Sequence, residues 1–363
     1  MILLTPGPAN TTRTVKEAMC VDDVCHREKV FADILASIRR DLLILAGAEK
    51  THDVVLFTGS GTCAVDAAIS SAVAESGRLL VLVNGAYGVR MARMAEIYRV
   101  PFDTLETAWH ERPDPTEVER LLDRGSFTHL AMVHHETSTG ILNPLESIAA
   151  LCRERGVVLV ADTISSFAGI PVPPADIFLA SANKCLQGMP GLSFVFARHG
   201  LLRDMADIPP RSFYTSLRLE HAAVEKSGQM RFTPAVQVAL ALRQALDETL
   251  AETLAARYAR YRANWEALRS GLLQAGFRKL LPDEYESGLL TSFEKPTVGA
   301  YDFDRHHDLL FEAGYTIYPA MVGYEHTFRL GNIGQITTEE IDAFLQANAA
   351  VLKAMGVHAP FYS

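Results

Sequence analysis

The chain has 363 residues, more than one ordinary hydrophobic core holds, so a large and a smaller domain are expected. Apolar residues make up 48% and charged residues 21%, and no apolar run approaches the roughly 20 residues that span a bilayer, which excludes a helical membrane protein. A net charge of −9 without an extended basic run argues against nucleic acid as partner, and five cysteines without a Cys-x-x-Cys pair argue against a disulfide framework or a cysteine zinc site.

The opening Met1-Ile2-Leu3-Leu4-Thr5-Pro6 has neither a basic n-region before a long apolar stretch nor an Arg-rich pattern, so a cytoplasmic protein is expected. Thr5-Pro6-Gly7-Pro8 suits neither a helix nor an inner strand, because two prolines lack donors; it reads as an extended arm over residues 1–14. Helical spacing is expected over 14–19 and over 29–45, where Phe31, Ile34, Leu35, Ile38, Leu42 and Leu45 recur. An apolar run from Asp53 to Phe57 ends in Thr58-Gly59-Ser60-Gly61-Thr62, and an Ala-rich helix follows from Cys63 to Ala74. Such a junction aims backbone N–H groups and the positive end of a helix dipole at an anion, with the Ser60 and Thr62 hydroxyls beside them. A phosphate would fit. The lysine of a nucleotide P-loop and the glycine spacing of a dinucleotide site are both missing.

Leu79 to Val83 reads as a strand that turns through Asn84-Gly85-Ala86-Tyr87-Gly88 into a helix carrying Arg90, Met91 and Met94. Tyr87 or Met91 would cover one face of a ring, or else fill the core. A short strand at 101–102, a helix over 115–122 and a strand from His129 to Val133 follow, the last ending in His134-His135-Glu136-Thr137-Ser138-Thr139-Gly140. No second cluster with ligand spacing accompanies the two histidines, so no metal site is expected.

A helix over 144–155 and the run Val157 to Ala161 complete a β, α, β alternation of the kind that builds a parallel sheet with helices on both faces. Asp162 leaves the end of that strand. Lys184 comes just beyond a second strand, Ile177 to Ala180, and open α/β sheets collect their chemistry at such ends. An acid and an amine so placed suit pyridoxal phosphate: the amine forms a Schiff base with the aldehyde, and the carboxylate keeps the pyridine nitrogen protonated. A capping Asp and a surface Lys are the plainer alternative for the pair taken alone.

Gly191 to Ala197 supplies another strand, 199–230 reads as loop-rich, and Thr233-Pro234 reads as the N-cap and first turn of a helix. The chain is then mostly helical to Gly276, with a break expected near Glu248. The large domain is assigned to 15–254. A small α+β domain is assigned to 255–363, with strands near 289–293, 316–318 and 327–330 and helices over 304–313 and 338–355. Arg329 on its last strand suits bidentate capture of a carboxylate or phosphonate, or a structural ion pair.

Taken together, T-P-G-P at 5–8, G-S-G-T at 59–62, N-G-A-Y-G at 84–88, H-H-E-T-S-T-G at 134–140, D-T-I-S-S-F at 162–167, S-A-N-K at 181–184, R-F-T-P at 231–234 and F-R-L-G-N-I-G at 328–334 resemble, in order and over nearly the whole chain, the class V pyridoxal-phosphate aminotransferases. The resemblance implies an α/β fold type I transferase, with a large domain of mostly parallel sheet between helices and a small C-terminal domain. It implies Lys184 as the Schiff-base lysine, Asp162 as the pyridinium partner, and Ser60, Gly61 and Thr62 as phosphate ligands. Thr233 matches a threonine that a neighbouring subunit lends to the same phosphate, which implies a homodimer. Arg329 matches the arginine that binds the substrate's acidic group, and Met91 and Thr137 match ring contacts.

The implied substrates are an amine and a 2-oxo acid. The branch implied is the one that moves an amino group between 2-aminoethylphosphonate and pyruvate, since the alanine:glyoxylate branch carries Trp where this chain has Tyr87. An alanine:glyoxylate or serine:pyruvate activity is the alternative. A desulfurase of similar fold would need a cysteine in the C-terminal part, and the last cysteine is Cys185.

Overall fold

Strands buried on both faces must alternate two apolar sets, and the central strands do. Val54, Leu56, Leu80, Leu82, Leu130, Met132, Leu159, Ala161, Phe194 and Phe196 belong to one core, while Val55, Phe57, Val81, Val83, Ala131, Val160, Leu179 and Val195 belong to another. Helices Lys29–Ala46, Leu145–Glu154 and Val236–Glu252 cover the first side, and helices Gly61–Ala72 and Ala86–Ile97 cover the second. The computed structural model describes residues 1–173, 175–321 and 323–362.

The sheet has seven strands in the order His52–Thr58, Leu192–Arg198, Ile177–Ser181, Val158–Asp162, His129–Val133, Leu79–Val83 and Phe102–Glu106. Leu192–Arg198 is antiparallel to both neighbours and every other pairing is parallel. The C-terminal ends of six strands and the start of the seventh therefore meet along one edge. Thr58, Val133, Asp162 and Ser181 all sit there.

A separate core joins Leu268, Leu272, Phe293, Leu310, Phe328, Leu330, Ile341 and Phe344. Its antiparallel sheet pairs Thr327–Gly331 with Leu290–Glu294 on one side and Tyr318–Pro319 on the other. The arm belongs to this unit as well as to the large one. Ile2–Leu3 pairs in parallel with Tyr315–Thr316, Leu4 is fully buried in the C-terminal core, and Ala9 N–H donates to Asn183 O.

The structure differs from the sequence reading at three junctions. Thr233 is not an N-cap: the helix begins at Val236, and the Ala235 N–H before it donates to Thr58 Oγ1 at 3.3 Å. The break expected near Glu248 falls at Thr253, whose φ is 69° and whose hydroxyl accepts from Ala256 N–H to start the helix Leu254–Ala275. The stretch 199–230 contains two α-helices, His199–Asp204 and Leu217–Ser227, and a 3₁₀ turn at Met205–Asp207; the second α-helix is capped by Ser216 and closed by left-handed Gly228. Its buried stripe is Leu217, Glu220 and Val224, so an acidic residue interrupts the apolar spacing.

Candidate active site

A cavity of about 470 Å³ opens at the shared strand edge, a size suited to a small cofactor. Strand ends supply Thr58, Val133, Asp162 and Ser181, and the turns beyond them supply Ser60, Gly61, Thr62, His135, Thr137, Asn183 and Lys184. The two residues on which the sequence reading rests thus line one space. Asp162 is the last residue of its strand, and Lys184 follows the end of the adjacent strand by three residues.

Both groups are buried, and burial sets their electrostatics. It pushes the Asp162 carboxyl up to about 6, with the neighbouring Glu136 charge pushing the same way. It holds the Lys184 amine down at about 8. Lys184 Nζ donates to Pro6 O at 2.8 Å, so the N-terminal arm closes over the amine. Gly7 makes that closure possible: its φ is 137°, and a Cβ there would lie 2.5 Å from Lys184 Nζ. Asp162 Oδ1 accepts from Ile164 N–H at 2.9 Å, while Oδ2 accepts from none of the described residues.

At the other end of the cavity, Ser60 begins the helix Gly61–Ala72 without capping it through its side chain. Among the described residues the Gly61 and Thr62 N–H groups have no acceptor. Arg90 Nη1 donates to Thr62 Oγ1 at 2.9 Å, and its guanidinium lies 4.7 Å from the Tyr87 ring centroid. Free N–H groups, a helix dipole and a cation are what a phosphate requires. An unspent carboxylate oxygen, a deprotonatable amine and this anion cradle fit pyridoxal phosphate.

Arg329 stands next to the cavity rather than in its wall. Its Nε and Nη2 donate to Pro319 O at 3.0 and 2.8 Å, and Nη1 donates to Thr137 O at 2.8 Å. A guanidinium has five N–H bonds, so these three leave two for an acid group. The structural ion pair raised as an alternative is absent: among the described residues its acceptors are carbonyls.

Thr137 lines the cavity, whereas Met91 does not; it is fully buried in the core beneath its helix. Tyr87 and Arg90, at i, i+3 spacing, reach the cavity, while Met91, one turn on from Tyr87, packs into the core that Tyr87 also borders. Thr233 lies in a separate crevice with Tyr214, Glu220 and Phe232. Arg90, His135 and Asn183 line the cavity without having been assigned a role from sequence. The i, i+3 relation to Tyr87 was the available signal for Arg90. Asp53, His221 and Glu225 bring one ligand atom each within 4.8 Å, but Asp53 is already paired with Arg39 at 2.7 Å. No helix of the described residues is long and apolar enough to cross a membrane.

The model of the family described as Aminotransferase class-V matches residues 14–344. The chain is 40% identical over 360 residues to the 2-aminoethylphosphonate–pyruvate transaminase of Pseudomonas aeruginosa, covering 98% of this chain and 96% of that one. It is 39% identical over 358 residues to the enzyme of the same name from Klebsiella pneumoniae, covering 95% and 96%. Among solved structures, alanine–glyoxylate aminotransferase from Nostoc sp. superposes with a TM-score of 0.90 at 28% identity, covering 97% of this chain and 95% of that one. Ureidoglycine–glyoxylate aminotransferase from Bacillus subtilis shares the fold, with a TM-score of 0.89 at 24% identity, covering 99% and 95%.

Proposed function

The chain belongs to the class-V aminotransferases, which use pyridoxal phosphate, and from that premise we propose that it moves an amino group from 2-aminoethylphosphonate to pyruvate, giving phosphonoacetaldehyde and L-alanine. The observation that carries this reading is the convergence of Asp162, Lys184 and the Ser60–Thr62 turn on one cavity, with Arg329 beside it. The relatives that bear the phosphonate name align over almost the entire chain.

When bound, pyridoxal phosphate supplies a carbon that carries the amino group between substrates and a ring that takes up the electron pair left by a departing proton. Ser60, Gly61 and Thr62 hold its phosphate, with Arg90 aligning the Thr62 hydroxyl. Asp162 keeps a proton on the ring nitrogen; a cation there stabilises its carboxylate and offsets the upward push of burial. Lys184 would act as base toward the amine-bearing carbon of the donor in the first half of the cycle and as acid toward the pyruvate-derived carbon, once that carbon holds the amino group, in the second. An amine held near 8 has a usable neutral fraction at physiological pH, and Pro6 O orients it between transfers. The two free N–H bonds of Arg329 grip the phosphonate of the donor and then the carboxylate of pyruvate, so one guanidinium serves both halves of the cycle.

The working unit in this reading is a cytoplasmic homodimer in which Thr233 reaches the phosphate of the neighbouring subunit. Its support is that Thr233 stays outside its own cavity, beside a surface where Phe213 is 76% exposed and Tyr214 stacks on Phe232. An apolar cluster of that kind marks an interface. Steady-state rates with 2-aminoethylphosphonate, serine and alanine as donors test the substrate. The phosphonate is expected to give the highest kcat/KM with pyruvate; preference for serine or alanine would replace it with the alternative named above.

A further inference from the structure

Glu136 is fully buried, and among the described residues every hydrogen-bond partner of its carboxylate is a donor. Oε2 accepts from Tyr87 N–H at 3.0 Å and Gly88 N–H at 3.4 Å, and Oε1 accepts from Ser138 N–H at 3.1 Å and Ser138 Oγ at 2.6 Å. The first two donors open the helix Ala86–Ile97, whose N-cap, Gly85, has no side chain with which to cap it. Glu136 provides that cap from another segment, and its negative charge faces the positive end of the helix dipole. Gly85 is small for the same reason: a Cβ there would lie 2.2 Å from the Glu136 carboxyl carbon.

Two parts of the active site hang from this one carboxylate. The helix it caps carries Tyr87 and Arg90 into the cavity, and Arg90 reaches Thr62 in the anion cradle. The turn it braces, through Ser138 N–H and Ser138 Oγ donating to Oε1, presents the Thr137 carbonyl to Arg329 Nη1. We propose that Glu136 is a positioning residue that fixes the acid-gripping guanidinium of Arg329, through Ser138 and Thr137, in a set relation to the Tyr87–Arg90 wall of the cavity. The inference rests on the reading of Arg329 as the group that holds the acid of both substrates.

Glu136→Gln tests it, because the amide keeps the shape but must turn an NH2 toward donors. With its oxygen kept at the helix end, the NH2 faces Ser138, whose hydroxyl can accept but whose backbone N–H cannot. The displaced element is then the Ser138–Thr137 turn. The expected result is a KM raised about 10- to 100-fold for both amine donor and pyruvate, kcat within a few-fold of the parent, and an unchanged position of the bound-cofactor absorbance band. Ser138→Ala removes one donor to Glu136 together with the acceptor of Ala86 N–H, and is expected to raise both KM values a few-fold in the same pattern; it decides the matter where Glu136→Gln does not fold. A lowered melting temperature with both KM values unchanged, or a loss confined to kcat, overturns the proposal. The KM of pyruvate is read with whichever donor is turned over, so failure of the phosphonate assignment and failure of this proposal give different results.

Discussion

Lys184 is an amine enclosed by protein with one hydrogen bond, to Pro6 O, and no carboxylate within ion-pair distance among the described residues. A buried charge of that kind opposes folding of the apoprotein. With its value held down at about 8 against an ordinary 10.5, the unfolded chain binds more protons between those limits, so stability from this group rises with pH across that window. Lys184→Met is therefore expected to melt above the parent apoprotein at pH 7, by an amount on the order of 3 kcal/mol, and the gap should close between about pH 8 and 10.5. Thermal melts across pH check this; a gap that widens with pH contradicts it. The same substitution should lower kcat at least about 10²- to 10⁴-fold, the range lost with a general acid–base group. Stability and activity are opposed at this one side chain, as they are wherever an active site keeps a charge out of water.

The arm and the Gly-rich turns show how elements set the site. Gly7→Ala places a methyl carbon on Lys184 Nζ and forces a left-handed-side φ of 137° on a residue that avoids it, so kcat should fall sharply. Gly47→Ala is the control: its φ is also positive, at 60°, but nothing lies within 4 Å, so it should cost about 1 kcal/mol of stability and leave kcat alone. Equal effects of the two on kcat would remove the arm from the mechanism.

Six strands of the large sheet were legible in the sequence because each is a short apolar run, and the acid and amine sit where two such runs stop; the edge strand Phe102–Glu106, read only at 101–102, carries Asp103, Thr104 and Glu106 and so lacks that signal. Thr253 was not legible as the helix break, because a non-glycine residue at positive φ carries no local signal. Nor was the helix Leu217–Ser227, whose buried stripe includes Glu220. Glu136 was visible only as a residue of a motif, and Arg90 only as a residue of the helix that follows one. Their roles depend on segments 49 and 28 residues apart in sequence meeting at the sheet edge, and no periodicity encodes those meetings.

For the whole molecule, the proposed division places the arm at 1–14, the large unit at 15–254 and the small unit at 255–363, the last boundary falling where the helix Leu254–Ala275 begins. The arm crosses that division, since Leu4 packs in the small unit while Pro6 O holds Lys184 in the large one. Movement between the units would thus be felt at the amine. The proposed exchange of Thr233 between subunits has its own test. Lys184→Ala and Thr233→Ala proteins, each impaired alone, should regain activity when co-assembled, because the mixed dimer holds one site with both native residues. No recovery on mixing would place Thr233 outside the neighbouring site.

In the proposed cycle a single cavity carries an amino group from the phosphonate donor to pyruvate by way of Lys184 and Asp162. Absorbance of the cofactor-loaded enzyme tests it most directly. Adding 2-aminoethylphosphonate without pyruvate should bleach the visible band, later addition of pyruvate should restore it with release of alanine, and the Lys184→Ala protein should do neither. A band indifferent to the phosphonate but bleached by serine or alanine, or an unimpaired cycle in the Lys184→Ala protein, would contradict the account.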